Sequence, residues 1–145
     1  MDFNSLEPKA QAILARYEEK RAAMLPLLWL VQESFGAISP EAEAWVAAKL
    51  DVAVVHVREV ISFYTLFRTE PVGKHHIQVC VSLPCLLKGA RRVIAQLEER
   101  LGIGVGQTTP DGKATLSTVE CLCACEMAPM AQVNERYIGP LESHG

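Results

Sequence analysis

The sequence predicts an α+β protein: an amino-terminal helical bundle over residues 1–72, then a small α/β domain over residues 73–145. Three observations predict it. Apolar residues recur at helical spacing as far as Phe67. The period changes to strand alternation after a linker at 68–74 that contains Pro71 and Gly73. All five cysteines fall in the second part, between positions 80 and 125.

In the first part, Ile13, Leu14, Tyr17, Met24, Leu25 and Leu28 lie on one helical face, with Glu18, Glu19, Lys20 and Arg21 on the other. Pro26 marks the first turn of a second helix, which stops near Gly36. Ser39-Pro40-Glu41 starts a third, joining an N-cap hydroxyl, a proline at the first helical position and a carboxylate on the positive dipole end. Trp45, Val46 and Leu50 continue it. A fourth helix covers about 54–67, with Val57, Val60, Ile61, Tyr64 and Phe67 inward and Phe63 also read as core. Beyond the linker, Ile77 and Val79 open a strand that runs to Cys80. An amphipathic helix over 87–101 turns Val93, Ile94, Leu97 and Leu101 inward. Pro110-Asp111-Gly112 is a turn, and strands follow at 115–119 and 131–134.

Composition excludes several classes. The chain has 145 residues, 50% hydrophobic and 21% charged, which suits a globular protein able to bury a core without disulfide staples. A net charge of −3 and no basic stripe argue against nucleic acid. The longest apolar run, Ala22 to Val31, is about half the ~20 residues of a spanning helix, so no membrane insertion is expected. Met1-Asp2-Phe3-Asn4 carries neither part of a secretory signal, which predicts a cytoplasmic protein. In that reducing compartment an odd number of cysteines points away from structural disulfides.

The cysteines form two groups, Cys80-x4-Cys85 and Cys121-Leu122-Cys123-Ala124-Cys125. Thiolates from two loops facing each other across a small sheet can surround a metal centre, and thiolate is the soft ligand that iron–sulfur clusters and zinc select. A two-iron cluster spreads its ligands more widely than one tetrahedral ion, which favours iron–sulfur. Zinc and buried inert thiols remain alternatives, whereas a thiol–disulfide enzyme lacks its C-x-x-C. Leu83, Pro84, Leu86, Met127, Pro129 and Met130 offer an apolar wall, and the turn before Leu87 offers backbone N–H donors to thiolate.

Three further motifs are set aside. Gly102-Ile103-Gly104-Val105-Gly106 follows a helix instead of a strand, and Gln107 stands where G-x-G-x-x-G needs its third glycine. His75 and His76 could suggest a Rieske-type site, but four cysteines already satisfy a cluster. His56 reads as a helix residue.

The segment from Gly73 to Cys85 resembles the E subunit family of bacterial NADH–quinone oxidoreductase, respiratory complex I. So do Thr109-Pro110-Asp111-Gly112-Lys113, and Val119 to Cys125 with Ala128-Pro129 and Gln132-Val133-Asn134. Lys20-Arg21, Leu25-Pro26-Leu27-Leu28 and Ser62-Phe63-Tyr64-Thr65 extend the resemblance over about 10–141. The resemblance implies a thioredoxin-like second domain holding one 2Fe-2S cluster, with Cys80, Cys85, Cys121 and Cys125 as ligands. It also implies an electron-transfer subunit, with no catalytic activity of its own, of a proton-translocating NADH:quinone oxidoreductase. The implied partners are the F subunit, which holds FMN and NADH, and other subunits of the peripheral arm on the cytoplasmic side of the inner membrane. Equivalent subunits of NAD-linked hydrogenases or formate dehydrogenases, and a zinc-stabilised thioredoxin-like adaptor, are the alternative readings.

Two departures from the family pattern stand out. Cys123 occupies a position where the family has glycine, which predicts a backbone of positive φ there and leaves Cys123 as a spare thiol or a substitute ligand. The family continues past Gln132-Val133-Asn134 into another helix, whereas this sequence stops at Gly145, which predicts an apolar face left for a partner.

Overall fold

A computed structural model describes residues 2–141, and the chain divides between Pro71 and Val72 into two units, each with its own hydrophobic cluster. The predicted apolar face at the carboxyl-terminal end falls largely outside the described residues.

In the first unit, α1 (Glu7–Leu14), α2 (Met24–Phe35), α3 (Pro40–Leu50) and α4 (Val54–Phe63) surround Leu27, Leu28, Val31, Val46 and Val57, all fully buried. The apolar stripe at 13–28 does not form one helix. Instead α1 stops at Leu14, and a 3-10 turn over Lys20–Ala23 leads into α2, leaving Leu25 on the surface. Pro26 sits in the first turn of α2, where its missing N–H has no helical partner to lose. Gly36, at φ 83°, ends α2, its N–H bonding the Gln32 carbonyl at 2.8 Å. Ser39 Oγ accepts the Ala42 N–H at 3.3 Å, capping α3 as its sequence predicts.

The end of α4 corrects the sequence reading. The helix stops at Phe63, and Tyr64 turns into extended backbone. A buried side chain on α2 explains this. Gln32 Nε2 donates to the Leu66 carbonyl at 3.0 Å, and the Arg68 N–H donates to Gln32 Oε1 at 2.7 Å. Those bonds hold 66–68 as a non-helical strap that carries Phe67 into the core. Phe63 and Tyr64 turn outward, with Phe63 76% exposed.

The second unit is a four-stranded sheet with a helical connection. It contains β1 (His75–Cys80), α5 (Leu83–Leu87), α6 (Ala90–Leu101), β2 (Ala114–Val119), β3 (Ala131–Val133) and β4 (Arg136–Ile138). The strand order is β2-β1-β3-β4. β1 and β2 run parallel, with Cys80 opposite Val119, while β3 is antiparallel to β1 and to β4. The helix predicted over 87–101 starts only at Ala90, because a separate short helix ends at Leu87 and Gly89 parts the two with a φ of 100°, accessible chiefly to glycine. From α6, Ala90 and Val93 are buried, and Ile94, Leu97 and Leu101 pack against the cluster around Val79 and Leu116. The turn at 110–112 closes on Asp111. Its Oδ1 accepts the Thr109 hydroxyl at 2.6 Å and the Lys113 N–H at 3.0 Å, bonds that hold its carboxyl well below the usual carboxylate range. Among the described residues no helix is long and apolar enough to cross a membrane.

Candidate metal centre

Parallel pairing of β1 and β2 brings the two cysteine groups together. Parallel strands end on the same side of a sheet, so the segments leaving Cys80 and Val119 emerge next to each other. The groups therefore sit side by side at one sheet end and do not face each other across the sheet.

Cys80 ends β1, its N–H bonding the Met130 carbonyl at 3.1 Å. Cys85 follows on α5, and both side chains are buried. Cys121, Cys123 and Cys125 lie in the segment between β2 and β3, and all three are exposed. The sulfurs share one electrostatic neighbourhood: the charges of Cys80 and Cys125 act on Cys85, and those of Cys121, Cys125 and Cys80 act on Cys123.

Local contacts split the thiols by character. Burial pushes the Cys85 thiol up, as does its hydrogen bond with Cys80, while the Met130 backbone N–H opposes the shift. Cys121 is drawn down, first by the Cys123 N–H, which donates to its sulfur at 3.4 Å, then by the Cys123 thiol and the Ser82 hydroxyl. Cys123 is raised in turn because its thiol donates to Cys121, the two sulfurs lying 3.8 Å apart.

Several expectations need correcting. The backbone donors that reach sulfur belong to Cys123 and Met130, not to the turn before Leu87. Met130 and Pro129 are buried, but Leu83 turns outward and is 67% exposed, so it forms no wall. Ser82 is a neighbour of the sulfurs that spacing alone does not single out; its place inside the Cys80-x4-Cys85 loop is the available signal. Cys123 adopts φ 54°, the left-handed backbone that a glycine position implies.

The other motifs have structural roles. His75 and His76 lie at the end of β1 away from Cys80, and the His76 ring bonds Ser117 Oγ at 2.7 Å. His56 pairs with Glu59. Gly102 caps α6, and Gly104 N–H donates to Gln107 Oε1 at 2.8 Å, so this glycine run is a connection.

Among the described residues, no three His, Cys, Asp or Glu side chains form a ready site for a single metal ion. A 2Fe-2S cluster takes four cysteines, two on each iron. The donor set fits that demand in chemistry, since it offers soft thiols from two neighbouring segments, with backbone N–H groups of Met130 and Cys123 on the sulfurs of Cys85 and Cys121.

Soft thiols gathered at one sheet end are the kind of donor set that iron–sulfur proteins use. The family profile of the thioredoxin-like [2Fe-2S] ferredoxins matches residues 10–144, and the chain belongs to that family, whose cofactor is a 2Fe-2S cluster. It is 45% identical over 139 residues to the second NADH-quinone oxidoreductase E subunit of Rhizobium meliloti (strain 1021), covering 96% of this chain and 83% of that protein. It is 43% identical over 131 residues to the NADH-quinone oxidoreductase E subunit of Rickettsia prowazekii (strain Madrid E), covering 88% and 74%. In fold it is similar to a chain of an air-oxidized NAD+-reducing [NiFe]-hydrogenase, with a TM-score of 0.69 and 21% identity. That match covers 81% of this chain and 20% of the hydrogenase chain.

Proposed function

We propose that this chain is the electron-transfer E subunit of an NADH–quinone oxidoreductase, holding its 2Fe-2S cluster on Cys80, Cys85, Cys121 and Cys125. The observation that carries the reading is the pairing at one sheet end: a buried pair of thiols on one segment and exposed thiols on the next, in a chain 45% identical to a protein of that name. Bound there, the cluster supplies one-electron exchange at a potential set by ligation, sulfur hydrogen bonding and burial.

The chain's own residues shape that exchange. Burial of Cys80 and Cys85 keeps water from one side of the centre. The Met130 and Cys123 N–H groups stabilise negative charge on Cys85 and Cys121. Cys121 and Cys125, being exposed, form the side that a redox partner reaches. That partner is the F subunit with FMN and NADH, in a peripheral arm on the cytoplasmic side of the membrane. The hydrogenase likeness is one of fold and does not favour the hydrogenase-type alternative.

Metal and sulfide analysis of the anaerobically purified chain tests the reading. About two irons per chain are expected, with visible charge-transfer absorption and an electron spin resonance signal on reduction. Stoichiometric zinc in a colourless protein overturns it. Co-purification with a flavin-containing chain tests the partner.

A further inference from the structure

The pair Cys121 and Cys123 has a geometry that cluster binding does not require. Both side chains are exposed and their sulfurs are 3.8 Å apart. Disulfide formation needs α-carbons within about 4.4–6.8 Å and a final S–S distance of about 2.05 Å. A two-residue separation holds the α-carbons within about 7 Å even when fully extended. Cys80 and Cys85 are also neighbours, but both are buried and shielded from a solution oxidant.

We propose that Cys121 and Cys123 form a reversible oxidative latch: in the metal-free chain hydrogen peroxide joins them as a disulfide, which withholds Cys121 from the cluster until a dithiol reopens it. The disulfide rests on the sulfur geometry alone; the withholding rests also on Cys121 being a ligand. In the first step the peroxide O–O bond breaks, one sulfur takes one oxygen as a sulfenic acid, and the other oxygen leaves as water. The second sulfur then forms the S–S bond, the S–O bond breaks, and a second water leaves. The two thiols lose two electrons and two protons, and hydrogen peroxide becomes two waters. Reduction runs by thiol–disulfide exchange, with the dithiol ending as the disulfide.

The test treats the metal-free full-length chain with hydrogen peroxide, alkylates it and maps the thiols by mass spectrometry, beside Cys123→Ser. Loss of two alkylatable thiols is expected, mapped to a Cys121–Cys123 link, with no such link in the variant. Iron and sulfide uptake should fail in the oxidised chain, return after dithiothreitol, and survive peroxide in Cys123→Ser. A link between Cys121 and Cys125, or between Cys80 and Cys85, overturns the latch. A Cys121–Cys123 link that leaves uptake unimpaired overturns the withholding and Cys121 as ligand. Failure of uptake in the fully reduced chain overturns the cluster reading, while the mapped link still decides the disulfide.

Discussion

At the residue scale, Cys123 separates what a ligand needs from what a backbone needs. Its φ of 54° costs an ordinary side chain about 1–2 kcal/mol, whereas glycine adopts it freely. Glycine gives back about 0.5–1 kcal/mol through the extra freedom of the unfolded chain. Cys123→Gly should therefore leave the metal-free protein as stable as before or more stable by up to about 1.5 kcal/mol, read from urea unfolding. The same variant should keep its iron, while Cys125→Ala should lose or severely perturb the cluster. Iron retained in Cys125→Ala but lost in Cys123→Gly would exchange the two roles. The strain at Cys123 is legible because one residue type stands where the family has another. Its N–H bond to Cys121 is not, because spacing alone does not orient a peptide group.

At the scale of elements, the strap after α4 shows why some boundaries cannot be read locally. The apolar spacing of Val57, Ile61, Tyr64 and Phe67 fits a continuing helix, yet Gln32 claims the Leu66 carbonyl and the Arg68 N–H from 34 and 36 residues away. A long-range bond leaves no periodic trace. Gln32→Leu should leave both partly buried backbone groups without their side-chain partner, at up to about 1–3 kcal/mol each, and lower the unfolding midpoint accordingly. A change of only a few tenths of a kcal/mol would show that the strap holds without those bonds. β4 escapes the sequence reading for another reason: Arg136, Tyr137 and Ile138 are all exposed at a sheet edge, so they carry no alternation. The helix stop at Gly36 and the start at Ser39 are readable because caps are local chemistry. Gly73 is a quieter case. A β-carbon there would lie 2.9 Å from the backbone of Ala114, which cannot swing aside. Gly73→Ala should cost about 1–3 kcal/mol by forcing β1 away from β2 near their starts. Thermal melts of the metal-free chain would show it, and an unchanged melt would mean that the pairing starts further along both strands.

At the scale of the whole molecule, the cysteine spacing announces a metal centre, but only the parallel register of β1 and β2 explains how two distant groups come to one place. Register between strands separated by more than thirty residues is set by how the two intervening helices pack, which sequence alone reveals only by resemblance. The centre has a consequence for the distribution of stability. The first unit closes its core with its own residues, Leu27, Leu28, Val31, Val46 and Val57 among them. In the second unit the thiols are part of the core itself, since Cys80 and Cys85 belong to its buried cluster with Leu122, Ala124 and Met130. A group that binds the folded loops and not the unfolded ones stabilises those loops by its binding free energy. Hydrogen exchange on cluster-loaded and chelator-stripped protein should therefore differ by segment. Amides over 81–87 and 120–130 should exchange at least about tenfold faster once the metal is removed, a local loss of about 1.4 kcal/mol or more. Amides of α2 and α3 should change little. Equal acceleration in α2 and α3 would mean that the cluster supports the whole chain as one cooperative body, and no change over 120–130 would mean that Cys121 and Cys125 do not hold it.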